Sequence, residues 1–362
     1  MDKNKLPIYK ISKAELFRAG EILRDEYDSF LSTKWDQAYE LLGKWRAMHA
    51  YPLNTFQANI RSILKKLALD KKAIVAQRLK RLHSIVLKLS RFPNMRLERM
   101  QDIGGIRIIL PSISDVYKVR TALKNSRWKH RLCREKDYIA DPQKSGYRSF
   151  HMIYANNNIQ APPEFQGLYV EIQIRTRLQH IWATTVETIG TFIQHSLKSS
   201  QGPKEWLDYL ALASAVFAGE EETKVPISFE TYSTTELVSM LHKRTVELNA
   251  FSILNAFHRA VQINQTKRFK NKYILLKLDI EQHIGHITLF NQNKFEEASY
   301  EYGIFEKKRN RNQDAVLVSS SSLNELRKAY PNYFNDASDF IKQLSKIFRK
   351  YNLPEIVVPN GR

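Results

Sequence analysis

A single cysteine, Cys133, in 362 residues rules out an internal disulfide and any cysteine-rich zinc or iron–sulfur site. Long apolar runs are missing as well. The stretch 210–218 is about half of a membrane span, and the opening MDKNKLPIYKISK lacks the apolar core of a signal peptide. Only 12 glycines are present, and none falls in a Walker A pattern or a kinase glycine loop, so neither common phosphotransfer scaffold applies. Acidic residues are outnumbered, 37 against 57 Lys+Arg, for a net charge of +20. With 43% apolar and 26% charged residues, a soluble, reduced, cytoplasmic protein with no membrane association is expected.

The excess positive charge is local. Residues 51–150 hold 23 Lys+Arg against 7 Asp+Glu, whereas 201–250 is net negative. A field concentrated on one hundred residues fits a polyanionic partner, a nucleotide or a nucleic acid; a merely solvated basic face is the plainer alternative.

Apolar spacing predicts helices near 13–31, 35–49, 55–69 and 73–91, then strands at 105–110, about 131–139, 147–154 and 168–175, with a helix over 114–125. Helices return near 177–197, 203–219 and 234–264. Residues 1–265 thus read as one α/β (α+β) domain, a mixed sheet flanked by helices. Beyond a basic stretch the texture changes. Strands are expected at 273–279, 283–290, about 295–305 and 315–318, a helix from a cap at 319–322 to about 328, and a last helix over 335–350. Residues 266–362 read as a small second domain, part β-meander and part helix.

Several polar groups recur at spacings that place them together. On strand 168–175, Glu171, Gln173 and Arg175 share the face opposite Val170, Ile172 and Ile174. Three polar groups in a row are costly to bury unless they face a cleft with a charged ligand; an edge strand wetting its outer face is the alternative. Tyr147, Ser149 and His151 share a face of the preceding strand, after a turn containing Lys144 and close to Lys136. An aromatic ring there is a platform for a base, or simply packing. On the expected helix 73–91, Lys80, Ser84 and Lys88 form a polar stripe beside Arg78. Asp102 precedes Gly104, Gly105 and Arg107 at a strand start, where an acid is suited to Mg²⁺. Two carboxylates within a ring of Arg and Lys fit metal-assisted phosphoryl-type transfer.

At these residues the chain resembles the synthetase domain of the RelA/SpoT family. The segments are WRAMHAYPLNTFQ (45–57), RLKRLHSIVLKL (78–89), MQDIGGIRII (100–109), KDYIADPQKSGYRSFH (136–151) and VEIQIRTRLQHIWA (170–183). The resemblance covers about residues 30–220 and implies a nucleotidyltransferase-like fold. The implied reaction moves the β,γ-pyrophosphate of ATP to a 3′-hydroxyl and releases AMP, with Mg²⁺ as cofactor. It implies Asp102 and Glu171 as catalytic carboxylates and metal ligands. Arg78 and Arg107 would sandwich adenine, and Lys80, Ser84 and Lys88 would hold the phosphates. Lys136, Lys144, Tyr147, His151, Gln173, Arg175 and His180 would line the acceptor side. No His-Asp dipeptide of the family's hydrolase domain occurs, and the stretch before residue 45 is short for one, so a synthetase-only member is expected.

Guanosine-alarmone synthetases usually read Pro-Lys ahead of the Gly-Tyr; here Pro142-Gln143 stands, with Lys144 one place later. That departure and the charge resemble a toxic branch that pyrophosphorylates the 3′-terminal adenosine of tRNA. The C-terminal layout, with Tyr330-Pro331-Asn332-Tyr333, resembles the pseudo-zinc-finger of CapRel-type fused toxin–antitoxins, in which a YxxY pair blocks the ATP site until a phage capsid protein relieves it. The expectation is therefore an autoinhibited, monomeric anti-phage toxin acting on tRNA, with Tyr330 and Tyr333 inhibitory. A small alarmone synthetase using GDP or GTP is the alternative, and a non-catalytic RNA-binding protein is a third. The motif His283-Ile284-Gly285-His286 is read as coincidence.

Overall fold

The computed structural model describes residues 8–25, 32–192, 203–259, 262–263, 272–279, 284–291, 293–308, 313–320 and 337–357. Three helices open the chain: α1 (Lys13–Asp25), α2 (Thr33–Met48) and α3 (Ala50–Lys66). Ser32 caps α2 by accepting from the Trp35 N–H. Next come β1 (Ile74–Leu79), α4 (Leu82–Arg91), β2 (Gly104–Leu110), α5 (Ile113–Lys124), β3 (Arg131–Asp137), β4 (Phe150–Ala155) and β5 (Tyr169–Thr176). Helices α6 (Arg177–Phe192), α7 (Lys204–Glu220), α8 (Thr234–Glu247) and α9 (Ala250–Arg259) follow. The remainder is β6 (Gln262–Ile263), β7 (Lys272–Asp279), β8 (Ile284–Asn291), α10 (Phe295–Lys308), β9 (Gln313–Ser320) and α11 (Ser338–Lys350).

The described strands form one mixed sheet in the order β3-β4-β5-β2-β1-β9-β7-β8-β6. Among the described strand pairs only β2–β5 and β6–β8 are parallel. The mixed α/β class expected from the sequence is therefore what the chain adopts. The strands of the 266–362 segment extend the same sheet: β9 lies against β1, with Arg78 opposite Val318 and Gln77 opposite Ser319.

Two apolar cores result. One packs α1–α5 against the sheet and takes in Tyr273, Phe295, Tyr302 and Leu317 from the C-terminal segment. The other joins α6–α9 to Phe340, Leu344 and Phe348 of α11. No described helix is long and apolar enough to cross a membrane.

Three expectations about elements are corrected. The helix predicted over 73–91 is a strand followed by a helix, because residues 74–79 pair with β2 across six positions and with β9 on their other side. Lys80 therefore precedes α4 and does not share a helical stripe with Ser84 and Lys88. The strand expected near 295–305 is α10, whose buried Phe295, Ala298, Tyr302 and Glu306 recur at helical spacing. The long helix over 234–264 breaks between α8 and α9, where Asn249 takes φ of 47°. Tyr330 and Tyr333, residues 321–328 of the short helix expected near 319–328, and His283 lie outside the described residues, while Ser319 and Ser320, expected to cap that helix, end β9.

Candidate active site

Strand pairing brings the polar residues together. Across β1, β2 and β5, Arg78 stands opposite Gly105, Gly105 opposite Glu171, and Arg107 opposite Gln173. On the far side of β5, Gln173 stands opposite His151 of β4. Residues paired directly across strands point to the same face, so these side chains share one surface. They line a cavity of about 240 Å³ with Lys80, Asp102 and Ile106.

Asp102 lies just ahead of β2 and meets the end of β1. The Lys80 backbone N–H donates to the Ile103 carbonyl at 2.7 Å, which holds the two connections side by side. Lys80 Nζ then reaches Asp102 Oδ2 at 2.7 Å, and Lys88 Nζ, from the second turn of α4, reaches the same oxygen at 2.9 Å. Burial by itself would raise the Asp102 pKa, but the two ammonium groups outweigh it and hold it at about 2. Asp102 Oδ1 is buried with no hydrogen-bond partner among the described residues.

Glu171 is held differently. His151 Nδ1 lies 3.0 Å from Oε1, and Gln173 Nε2 donates to Oε2 at 2.9 Å. Burial would raise this carboxyl as well; the His151 contact, then its charge, and the Gln173 amide bring it below the usual range, although Asp102 opposes them. His151 Nε2 lies 2.7 Å from Tyr147 Oη. Burial disfavours the imidazolium, but the Tyr147 oxygen and the Glu171 carboxylate on its two ring nitrogens carry its pKa up to about 9. At neutral pH both ring nitrogens therefore donate. Beyond Glu171, the Gln173 carbonyl oxygen accepts from Arg175 Nη2, so Tyr147, His151, Glu171, Gln173 and Arg175 form one chain of contacts. Arg175 is 1% exposed, and its Nε and Nη1 lack hydrogen-bond partners among the described residues.

The other expected acceptor residues surround this chain. Tyr138 packs edge-on against Tyr147 and His151, with ring centroids 5.6 and 5.2 Å away, and Lys136 Nζ sits 5.2 Å from the centre of the Tyr138 ring. Gly146 orients Tyr147: its φ is +90°, and a Cβ there would come within 2.8 Å of the Ser214 Cβ. Lys144 is exposed in the turn before it, Ser84 is half-buried on α4, and His180 is buried in α6; none of the three lines the cavity.

Arg148 was not anticipated as a buried polar group. Arg148, 1% exposed, pairs with Glu221 at 2.7 Å and also donates to Thr223 and Ser214. Glu221 in turn accepts from Thr176 and Gln179, which ties the C-terminal end of α7 to the end of β5, the strand that carries Glu171. The only sequence sign of it is an arginine beside Tyr147 and an acidic run at 220–222, too far apart for spacing to connect them.

The cavity's class can be set against known proteins. Residues 77–191, which contain every residue lining it, match the family described as a region found in RelA / SpoT proteins. Among individual relatives, the GTP pyrophosphokinase YjbM of Bacillus subtilis (strain 168) is 36% identical over 125 residues, 34% of this chain and 54% of its own. YwaC, a GTP pyrophosphokinase of the same organism, is 33% identical over 144 residues, 38% of this chain and 65% of its own. The chain thus spans between about half and just under two thirds of these relatives. The crystal structure of small alarmone synthetase 1 from Bacillus subtilis, bound to its product pppGpp, aligns with 48% of this chain and 89% of its own at 26% identity and a TM-score of 0.43.

Proposed function

We propose that this chain is an ATP-dependent pyrophosphokinase whose acceptor is the 3′-hydroxyl of GDP or GTP. The observation that carries this reading is the pair Asp102 and Glu171 on one cavity with Arg78, Lys80 and Arg107, all inside the matched region. The similarity to GTP pyrophosphokinases supports the guanine acceptor.

In the reaction, the acceptor's 3′-oxygen bonds to the β-phosphorus of ATP, the bond from that phosphorus to the α,β-bridging oxygen breaks, and AMP leaves. Glu171, kept ionised, takes the 3′-hydroxyl proton on a carboxylate oxygen. Lys80 and Lys88, which hold Asp102 Oδ2, are close enough to the cavity to exchange that carboxylate for phosphate oxygens. Arg78 and Arg107, on neighbouring strands, flank the base of ATP. Tyr147 stacks on the acceptor base, with Tyr138 and Lys136 behind it and His151 and Gln173 fixing Glu171 beneath.

The donor set fits Mg²⁺. Hard carboxylate oxygens are what this ion takes, and Asp102, whose buried Oδ1 has no hydrogen-bond partner among the described residues, lines the same cavity as Glu171. Bound by Asp102 and Glu171, it would neutralise charge on the transferred phosphates.

A second reading keeps the same donor chemistry but takes the 3′ end of tRNA as acceptor, with the 266–362 segment holding the enzyme off until a phage capsid protein intervenes. The observation favouring it is the charge of residues 51–150, including exposed Arg131, Arg134 and Lys136 along β3. Label transfer from γ-³²P-ATP by the full chain, offered bulk tRNA and GDP or GTP in parallel, separates the readings. Label on guanine nucleotide is expected. Label only on tRNA, lost when its 3′ terminus is oxidised, would overturn the first reading in favour of the second.

A further inference from the structure

Helix α4, which brings Lys88 to Asp102, has no cap from its own sequence: Arg81 occupies the N-cap position and makes no side-chain cap bond. An acceptor comes instead from 220 residues away. Tyr302 Oη, on α10, accepts from the Leu82 N–H at 3.1 Å. Tyr302 is fully buried, and the Arg46 guanidinium of α2 lies over its ring, 4.3 Å from the centroid. Arg46, 1% exposed, points its Nε at the Lys80 carbonyl, 2.5 Å away. The turn at residues 80–82 is thus gripped from behind by α2 and α10, while its front is pinned to Ile103 beside Asp102. A second, separate link runs through Gln77 of β1, which donates to Asn54, which in turn donates to Tyr273 Oη of β7.

We infer that Arg46 and Tyr302 are positioning residues of the cleft, fixing the 80–82 turn so that Lys80 and Lys88 converge on one point. The C-terminal segment then supports the site that holds the donor's phosphates; the phosphate part rests on the function proposed above. An unmet N–H at Leu82 would loosen the first turn of α4, and the entropic cost of re-ordering it would fall on ATP binding.

The test uses the full chain carrying Tyr302→Phe, which removes only the acceptor oxygen, and Tyr302→Leu, which also removes the ring beneath Arg46. Amide exchange across residues 80–89 and steady-state kinetics are measured on both. Exchange at Leu82 should accelerate roughly five- to tenfold in Tyr302→Phe, the size expected for a lost cap. The KM for ATP should rise by a similar factor while kcat and the acceptor KM stay within about twofold. Tyr302→Leu should move both further, and Arg46→Lys, which keeps a cation and a donor, should retain more ATP affinity than Arg46→Met. Unchanged exchange at Leu82 in both Tyr302 variants would overturn the inference, as would a fall in kcat with the ATP KM unmoved. Absence of label transfer in the wild type would defeat the reaction reading alone, since exchange at Leu82 still decides the clamp.

Discussion

In the one cleft Asp102 is gripped by two ammonium groups on long stems, whereas Glu171 sits between an imidazole and an amide rooted in adjacent strands. Lysine stems are flexible, so in the proposed reaction Lys80 and Lys88 would pass from Asp102 to an incoming phosphate. Glu171 belongs to a sheet-borne chain of contacts whose geometry is set before any ligand arrives. In the proposed reaction the long-stemmed lysines would serve the charged donor and the sheet-borne contacts would mount the base.

Removing either carboxylate should have the largest effect. Glu171→Gln and Asp102→Asn should each reduce label transfer by roughly 10³-fold or more, with the fold retained by circular dichroism. The comparison predicts that they differ in binding: Asp102→Asn frees Lys80 and Lys88 and should leave affinity for an ATP analogue equal or higher. Activity within about tenfold of wild type in either variant would break the site assignment. Glu221→Gln should destabilise the chain by about 3 kcal/mol in denaturant unfolding, because Arg148 would be left as an uncompensated buried charge.

The two carboxylate settings should also part company with pH. His151 has a folded-state pKa raised to about 9 from 6.5, so its contribution is fully present below pH 6.5 and lost as pH rises through 9. Asp102 has its pKa lowered to about 2 from 3.8, so its contribution is present above pH 3.8 and lost as pH falls toward 2. Thermal unfolding followed from pH 6 to 10 should show stability declining in the wild type and a flatter profile in His151→Gln; identical slopes would remove the His151–Glu171 ion pair from the account. The smallest effect is expected at Lys307, whose 2.8 Å pair with Asp36 also joins α10 to α2 but is half exposed. Lys307→Ala should cost about 0.5 kcal/mol at most, against a much larger loss for Tyr302→Leu.

Much of the cleft could be read from alternation alone. Glu171, Gln173 and Arg175 share a strand face, and Asp102 lies next to a strand start, as their spacing implied. Strand β1 was hidden because Leu79, Leu82, Val86 and Leu89 continue a helical period across what is really a strand, a turn and a helix. Its strand state is imposed by partners on both sides, one of them more than 200 residues away. Helix α10 was obscured by aromatic residues that mimic a strand, though its burial period is helical. The links Arg148–Glu221 and Arg46–Tyr302 join residues with no sequence relation and arise only when the sheet and helices are assembled.

The borders of the sheet carry a consequence of another kind. An exposed strand edge offers unpaired backbone groups to any neighbouring chain and invites edge-to-edge aggregation. Among the described strands one border is β3, with Arg131, Arg134 and Lys136 exposed along it, and the other is β6. Charge repels a copy at the first border. The cations of β3 thus also help a sheet of nine described strands stay closed to further strands in a crowded solution.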